Sequence, residues 1–220
     1  AIAPEAVMNQ LAHLFLAQPT TESRVGNLLG DFAKGVRTDQ LAPDIQRGLA
    51  NHRAVDAFTD RHPEVAQSRA LFSSQRRRFS GIALDVLYDH FLIRHWSTYS
   101  SLPFDDFIQL IYSDLDKGRS LMPASMAQVV GRIIRHDWFT AYSDFYNIGS
   151  ALDRVAERIR FQNAFGGVIK EIEPLHDELE AHFLRFFPEL IHHVQARNIE
   201  LARDKPRDET PYWIRYNRGS

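Results

Sequence analysis

Cysteine is absent from this 220-residue sequence, and its absence excludes several kinds of chemistry. Without cysteine the chain has no disulfide, no thiol nucleophile and no thiolate ligand for a metal. A chain of this composition suits a reducing compartment, and we expect a cytoplasmic location. Any metal would have to be bound by imidazole and carboxylate groups, which ten histidines and 28 acidic residues supply in quantity.

Long apolar runs and an excess of one charge are also missing. No stretch of 18 apolar residues is present, so we expect no membrane span. The chain does not begin with a basic segment followed by an apolar one, so we expect no secretory signal. The formal net charge of −2 argues against non-specific binding to nucleic acid, which usually needs a basic excess.

Strand-like alternation of apolar and polar residues is rare, whereas helical periodicity is frequent along the whole chain. Prolines and glycines mark the ends of most periodic segments, and the residue before Pro63 is expected to end a helix. The predicted helices cover about 8–17, 23–34, 43–60, 81–99, 103–119, 123–136, 147–162, 164–187 and, after Pro188, up to 203.

These segments predict an all-α protein with a single compact domain of seven to nine helices over residues 8–203. Residues 1–7 and 204–220 are expected to be flexible or non-native termini. Three aromatic residues near the end, Tyr212, Trp213 and Tyr216, are candidates to anchor the last segment onto the domain.

One predicted helix carries ionisable residues beside an apolar stripe. His52 and Asp56 are four residues apart and therefore lie within about 40° of each other on the helix, next to Ile45 and Leu49. Asp60 follows one turn later, near the helix end, where it can face water.

A second helix, from Ile82 to Trp96, repeats the pattern. Asp85 and Asp89 are again four residues apart, and the helix is apolar on nearly all sides, which is typical of a central buried helix. His90 follows Asp89 and points about 100° away from it.

Acidic groups on buried stripes need compensation, because even a neutral polar group without a partner costs about 2–7 kcal/mol to bury. A divalent cation would supply it by binding carboxylates and imidazoles together. The alternative is a set of ordinary ion pairs, with Arg53, Arg61 and Arg94 as nearby partners. Spacing alone leaves both interpretations open.

Two upstream residues complete the candidate set. His13 lies within the apolar segment 11–15, where a histidine is more often a satisfied core residue than a ligand. Asp31 follows Leu28, Leu29 and Gly30, and its simpler interpretation is a surface acid paired with Lys34.

Five segments, in this order, resemble those of the acyl carrier protein phosphodiesterase family. They are NQLAHL at 9–14, GNLLGDF at 26–32 followed by Lys34 and Gly35, GLANHRAVDAFTD at 48–60 followed by Pro63, LDVLYDHFL at 84–92 followed by Arg94, His95 and Trp96, and FFP at 186–188. Together they span nearly the whole predicted domain, which makes the resemblance specific.

The resemblance implies an enzyme that hydrolyses the phosphodiester between 4'-phosphopantetheine and a serine of holo-acyl carrier protein, giving apo-acyl carrier protein. It also implies an HD-domain-like helical fold and a divalent metal, with Mn²⁺ expected and Mg²⁺, Fe²⁺ or Co²⁺ as alternatives. In the HD phosphohydrolases a His-Asp pair binds metal. The segment 28–31 is similar to that pair but has Gly30 in the histidine place, so His13 or His52 is expected to replace the missing imidazole.

The implied roles are then as follows. The expected metal ligands are Asp31, His52, Asp56 and Asp89, with His13, Asp85, Asp60 and His90 as second choices. The catalytic group comprises Asp31 and His52, with Arg53 and Lys34 as candidates to bind the phosphate. The basic run Arg76-Arg77-Arg78 is a candidate surface for the acidic carrier protein, and its simpler interpretation is solvated surface charge.

Two other functions remain open at this point. One is an HD-type phosphohydrolase that acts on a nucleotide or another small phosphodiester. The other is a helical module that binds acyl carrier protein without catalysis and whose acids form ion pairs. The sequence leaves the oligomeric state undetermined.

Overall fold

The computed structural model describes residues 10–159 and 163–201. Within these ranges the chain forms α-helices and short 3-10 turns around one continuous hydrophobic core, with no strand. The helices are α1 Gln10–Leu16, α2 Thr21–Leu29, α3 Pro43–Thr59, α4 Pro63–Leu71, α5 Ser80–Arg94, α6 Trp96–Tyr99, α7 Phe104–Lys117, α8 Ala124–His136, α9 Trp138–Ala141, α10 Phe145–Arg158, α11 Ile169–Ile172 and α12 His176–Arg197. The all-α, single-domain prediction is confirmed.

Two helices form the centre of the molecule. All seven residues of α1 are buried, and most of α5 is buried as well, as its apolar sequence predicted. Helix α12 packs against α3, α4 and α5, and α10 packs against α5, while α8 and α9 pack against α7. No described helix combines the length and the apolar character that a bilayer span requires.

Helices α2 and α3 pack so closely that two glycines meet at their crossing. A Cβ placed on Gly26 would lie 2.4 Å from the Ile45 carbonyl oxygen and 2.9 Å from the Gly48 Cα. A Cβ on Gly48 would lie 2.7 Å from the Ser23 carbonyl oxygen. Because these neighbours are backbone atoms that cannot move aside, only glycine allows this approach.

Proline was interpreted correctly at the start of α3, incompletely at Pro63 and wrongly at Pro188. Pro63 was expected only to end a helix, but it also begins α4, where its missing N–H costs nothing. Pro188 was expected to separate two helices, yet α12 continues through it to Arg197 and ends at Asn198 in the left-handed conformation. Burial of Phe186, Phe187 and other apolar residues on both sides of Pro188 offsets the lost hydrogen bond.

Other boundaries differ by smaller amounts. The helix predicted at 23–34 ends at Leu29 and continues as a 3-10 turn over Gly30–Phe32. The helix predicted at 81–99 breaks at His95, and the one predicted at 164–187 is replaced by the short α11 and the start of α12. The predictions for residues 1–9, 160–162 and 202–220, including the three aromatic anchors, lie outside the described residues.

Candidate active site

Three side chains from two helices meet at the core of the candidate site. The Nε2 atom of His52 lies 3.0 Å from one carboxylate oxygen of Asp56, and the Nε2 atom of His13 lies 3.2 Å from the other. The two imidazole rings stack with centroids 3.9 Å apart. One potential ligand atom from each of His13, His52 and Asp56 lies within 4.8 Å of the others, and we call this group the His–Asp cluster.

The backbone of α2 fixes the orientation of the His52 ring. The Nδ1 atom of His52 lies 2.6 Å from the carbonyl oxygen of Asn27. Because a carbonyl only accepts, Nδ1 must carry a hydrogen. The Nε2 atom then donates to Asp56 when the ring is protonated, and it offers a lone pair to a metal when the ring is neutral. The Asn27 side chain is held in turn by Asn51, Ser23 and Glu200.

Gly30 makes room for this ring. A Cβ on Gly30 would lie 2.0 Å from the Cδ2 and Nε2 atoms of His52. The imidazole of His52 therefore occupies the space into which a side chain at position 30 would extend. The sequence left open whether His13 or His52 would replace the missing histidine, and the structure brings both into the same cluster.

Asp31 lies beside the cluster at the start of the 3-10 turn that follows α2. Its Oδ1 atom is 3.9 Å from Nε2 of His52, and its side chain is 26% exposed. Burial and the charge of Asp56 raise the pKa of Asp31 to about 6, against the opposing influence of His52. Asp31 is thus a carboxylate that both contacts solvent and titrates near neutrality.

Helix α5 contributes two further carboxyl groups. Burial raises the pKa of Asp85 to about 8, and the charges of Asp89, Asp56 and Asp31 add to the rise. Burial likewise raises the pKa of Asp89 to about 7, although hydrogen bonds from Ala12 and Leu11 oppose it. Asp85 therefore interacts electrostatically with Asp56 on α3 and with Asp31, and Asp89 does so with Asp31.

Both carboxylate oxygens of Asp89 already accept hydrogen bonds. They accept hydrogen bonds from the backbone N–H groups of Leu11 and Ala12, at 3.1 and 3.0 Å, in the first turn of α1. Asp89 therefore fastens the start of the helix that carries His13. This contact favours a positioning role for Asp89, while its role as a metal ligand stays a prediction.

The histidines and Asp56 differ in charge. Burial, together with the charge of His52, lowers the pKa of His13 to about 4, so His13 is neutral at pH 7. Burial would lower the pKa of His52, but Asp56, Asp31 and the Asn27 carbonyl outweigh it and raise the pKa. Burial opposes ionisation of Asp56, yet hydrogen bonds from His13 and His52 hold its pKa well below the usual range.

The donor set fits a divalent cation. Two imidazoles and several carboxylates suit Mn²⁺, Fe²⁺, Co²⁺ or Zn²⁺ better than Mg²⁺, which prefers oxygen ligands alone. Nδ1 of His13 and both polar atoms of the Gln10 amide are buried without a hydrogen-bond partner among the described residues. Buried polar atoms without partners are rare, so these atoms indicate that the site accommodates a further group.

Gln10 is a site residue that the sequence did not single out. Its amide is near enough to Asp31 to oppose part of the rise in the pKa of that carboxyl, although the contact lacks normal hydrogen-bond geometry. A signal was present, because Gln10 is three residues before His13 and so lies on the same face of an otherwise apolar helix.

Other predicted residues lie elsewhere. Asp60 is exposed and pairs with Arg69 at 2.8 Å, and His90 hydrogen-bonds the Tyr142 carbonyl oxygen at 2.7 Å, so neither joins the cluster. Lys34 and Arg53 are exposed, and in the described part of the chain neither takes part in a hydrogen bond or ion pair. Their phosphate-binding roles stay predictions.

The arginines at 76–78 make several contacts with other residues of the domain. Arg76 donates to the carbonyl oxygens of Ala164 and Gly166 and pairs with Glu171 at 3.0 Å. Arg77 donates to the carbonyl oxygens of Ala70 and Phe72, and the Arg78 guanidinium lies 5.7 Å from the centre of the Phe79 ring. A partner role for these arginines stays a prediction, and Arg77 and Arg78 are the more exposed of the three.

The raised pKa values predict a pH dependence of the metal-free protein. Folded Asp85 binds a proton up to about pH 8, whereas an unfolded aspartate releases it near pH 4. The folded state therefore binds more protons between these values, and the free energy of unfolding falls as the pH rises through this window. The melting temperature of Asp85→Asn, relative to the unmutated chain, should increase from pH 5 to pH 8 in EDTA. A constant difference would contradict the assignment.

Comparison with known proteins places the chain among named relatives. The family model described as acyl carrier protein phosphodiesterase matches residues 8–190. Curated relatives named acyl carrier protein phosphodiesterase include those of Serratia proteamaculans, 35% identical over 193 residues, and Yersinia pestis, 36% identical over 193 residues. Each alignment covers 87% of this chain and all of the relative.

A third relative with the same name, from Escherichia coli, is 34% identical over 185 residues, which is 84% of this chain and 96% of that protein. No solved structure gives a significant match to the chain. The HD-like arrangement implied by the sequence therefore stays a prediction.

Proposed function

The chain belongs to the acyl carrier protein phosphodiesterase family and is a phosphodiester hydrolase, and from this premise we propose its substrate and its site. The proposed reaction releases 4'-phosphopantetheine from holo-acyl carrier protein and leaves the apo-protein, with Mn²⁺ as the expected metal. The observation that carries the proposal is the convergence of His13, His52 and Asp56 beside Asp31. A cytoplasmic location would follow from a carrier protein substrate and stays a prediction.

The proposed ligands are His13, His52 and Asp56, with Asp31 and Asp85 as the nearest additional carboxylates. When bound, a divalent cation neutralises charge on the phosphate oxygens and lowers the pKa of a bound water. His13 presents a neutral imidazole at pH 7. The Asn27 carbonyl holds a hydrogen of His52 on Nδ1. The Nε2 atoms of both rings face the Asp56 carboxylate.

Asp31 is the proposed proton acceptor. Its carboxylate is the member of the group beside His52 that combines solvent contact with a pKa of about 6, so an appreciable fraction is ionised and able to accept a proton at neutral pH. Arg53 and Lys34, exposed near His52 and Asp31 in the sequence, are the proposed groups for the phosphate oxygens.

The proposal predicts that the purified chain converts holo- to apo-acyl carrier protein when Mn²⁺ is added after treatment with EDTA. The measurement is the intact mass of the carrier protein, which should fall by one phosphopantetheine group. Omission of Mn²⁺ is the control. No mass change would reject the proposal, and hydrolysis of cyclic or linear nucleotides instead would support the alternative HD-type activity.

The partner surface predicts an effect on substrate binding. Reversing the charge at Arg78 should raise KM for the carrier protein roughly 2- to 5-fold with little change in kcat, because an exposed charge contributes about 1 kcal/mol or less. Arg76 is unsuitable for this test, because its contacts with Ala164, Gly166 and Glu171 hold the fold together. Arg158→Glu, an exposed reversal on α10, is the charge-matched control. Equal KM values in the two variants would leave the loop without a role in binding.

A further inference from the structure

The short segment after α12 brings Glu200 against α2. Helix α12 ends at Arg197, and Asn198 adopts the left-handed conformation, with a φ of 49°. Asparagine tolerates this conformation at a helix end, where it turns the chain away from the helix axis. Two residues later, the Glu200 carboxylate accepts hydrogen bonds from the Ser23 hydroxyl and, at 2.9 Å, from the Asn27 amide. The segment after α12 is thereby fastened to α2.

Glu200 completes the hydrogen bonding of the buried Asn27 side chain. Oδ1 of Asn27 accepts from Nδ2 of Asn51 at 3.0 Å. Nδ2 of Asn27 donates to the Ser23 carbonyl oxygen at 3.0 Å and to Oε1 of Glu200 at 2.9 Å, so both of its hydrogens have an acceptor. Because Asn27 is 0% exposed, without Glu200 one N–H would retain only the long contact, at 3.4 Å, with the Ser23 hydroxyl.

Asn27 is also the residue whose backbone orients His52. Its carbonyl oxygen lies 2.6 Å from Nδ1 of His52, and its side chain contacts Asn51, which directly precedes His52 on α3. A hydrogen bond to the second nitrogen of a ligand histidine fixes the orientation of the ring. A shift of Asn27 would therefore displace the acceptor on which the His52 ring depends.

The Glu200 carboxyl group lies in surroundings that disfavour its charge. Burial raises the pKa of Glu200 to about 7, although hydrogen bonds from Ser23, Asn27 and the Gln18 backbone oppose the rise, as does the charge of Arg47. The contacts with Ser23 and Asn27 contribute most to this opposition. The carboxyl group is thus kept at its position chiefly by the two side chains of α2.

We propose that Glu200 is a positioning residue of the active site, which acts on His52 through Asn27. The inference rests on the proposed function, in which His52 is a metal ligand, and it extends that function by giving a role to the segment after α12. The family model matches residues 8–190, so Glu200 lies beyond the matched region. Its hydrogen bonds within the described ranges go to α2 and the turn before it, not to residues proposed to bind phosphate.

The first test observes the His52 ring in the metal-free protein. NMR of ¹⁵N-labelled imidazoles reports the Nδ1–H signal of His52, which is identified by its absence in His52→Gln. In Glu200→Ala this signal should shift or be lost through faster exchange with water, because the Asn27 carbonyl no longer has a fixed position. Glu178→Ala, which removes an exposed glutamate of α12, is the control and should leave the signal unchanged. Neither metal nor substrate is present, so this result is independent of the proposed activity.

The second test separates positioning from stability. With Mn²⁺ and holo-acyl carrier protein, below the melting temperature of every variant, kcat of Glu200→Ala should fall about 10-fold with little change in KM, which is the low end for residues that orient a ligand histidine. Glu200→Gln keeps an oxygen that accepts from Asn27, and its NH₂ group can donate to the Ser23 hydroxyl oxygen. It should therefore retain kcat within about 2-fold.

An unchanged His52 signal in Glu200→Ala would overturn the proposal, as would an unchanged kcat or an equal loss of kcat in Glu200→Gln. If the unmutated chain does not hydrolyse the carrier protein, the proposed function fails, and the NMR comparison alone decides the role of Glu200. If circular dichroism shows that Glu200→Ala does not fold, Glu200→Asp, which is one methylene shorter, takes its place and should alter the signal and kcat in the same way.

Discussion

Replacing Asp56 with asparagine is expected to lower kcat by at least about 100-fold while leaving the helical circular dichroism unchanged. Asp56 is the carboxylate that both imidazoles face, at 3.0 and 3.2 Å. Asparagine keeps the shape but removes the negative charge, and one of its two sites becomes an NH₂ group that cannot accept from a histidine. The affinity for Mn²⁺, measured by calorimetry, should fall by a similar factor.

Asp60 provides the matched control for this variant. It lies one turn after Asp56, it is exposed, and it pairs with Arg69 outside the cluster. Asp60→Asn should therefore retain nearly full turnover and Mn²⁺ affinity. Full turnover in Asp56→Asn would remove the His–Asp cluster from the reaction, whichever way the control behaves.

The second large effect is expected at Gly30, a residue without a side chain of its own. Gly30→Ala would place a methyl group 2.0 Å from the Cδ2 and Nε2 atoms of His52. The ring cannot accommodate it without leaving the Asn27 carbonyl and the stacked ring of His13. We expect kcat to fall at least about 100-fold, since a displacement of about 1 Å near a reacting group has an effect of that size.

Stability should change much less than activity in Gly30→Ala. His52 is a side chain that can swing outward, so the overpacking should cost about 1–3 kcal/mol and lower the melting temperature by about 2–10 °C. Gly166→Ala is the control, because a Cβ at that position meets no atom within 4 Å. Normal turnover in Gly30→Ala would show that the observed position of His52 is not needed.

Local sequence signals predicted the parts of the fold that local chemistry decides. Pro43 at the first turn fixed the start of α3, and the periodicity of its apolar residues placed His52 and Asp56 on one face. Pro188 was misleading because the burial of its neighbours in the core, which depends on the whole fold, outweighs the proline's own preference.

The sequence predicted which types of residue form the candidate site better than it predicted which individual residues take part. The sequence ranked His13 below Asp89, whereas the structure places His13 3.2 Å from Asp56 and uses Asp89 to fasten α1. Whether His13 or Asp89 reaches the cluster depends on how α1 packs against α5 and α3. Helical spacing within one segment contains no information about that packing. Gln10 was missed although its spacing of three residues from His13 placed both side chains on one face of α1.

The close crossing of α2 and α3 at Gly26 and Gly48 determines how far a tilt of the two helices displaces the candidate site. Gly30 lies one turn beyond Gly26, and His52 lies one turn beyond Gly48, so the contact between them is about 5.4 Å along from the crossing. If the two helices tilt relative to each other, the crossing is the pivot, and the arm is this short distance from the crossing to His52. A rotation of about 10° would move the imidazole by only about 1 Å, which is already the displacement that catalysis does not tolerate. Because the arm is short, a thermal tilt of about 3° at the crossing moves the imidazole by only about 0.3 Å, well below that limit.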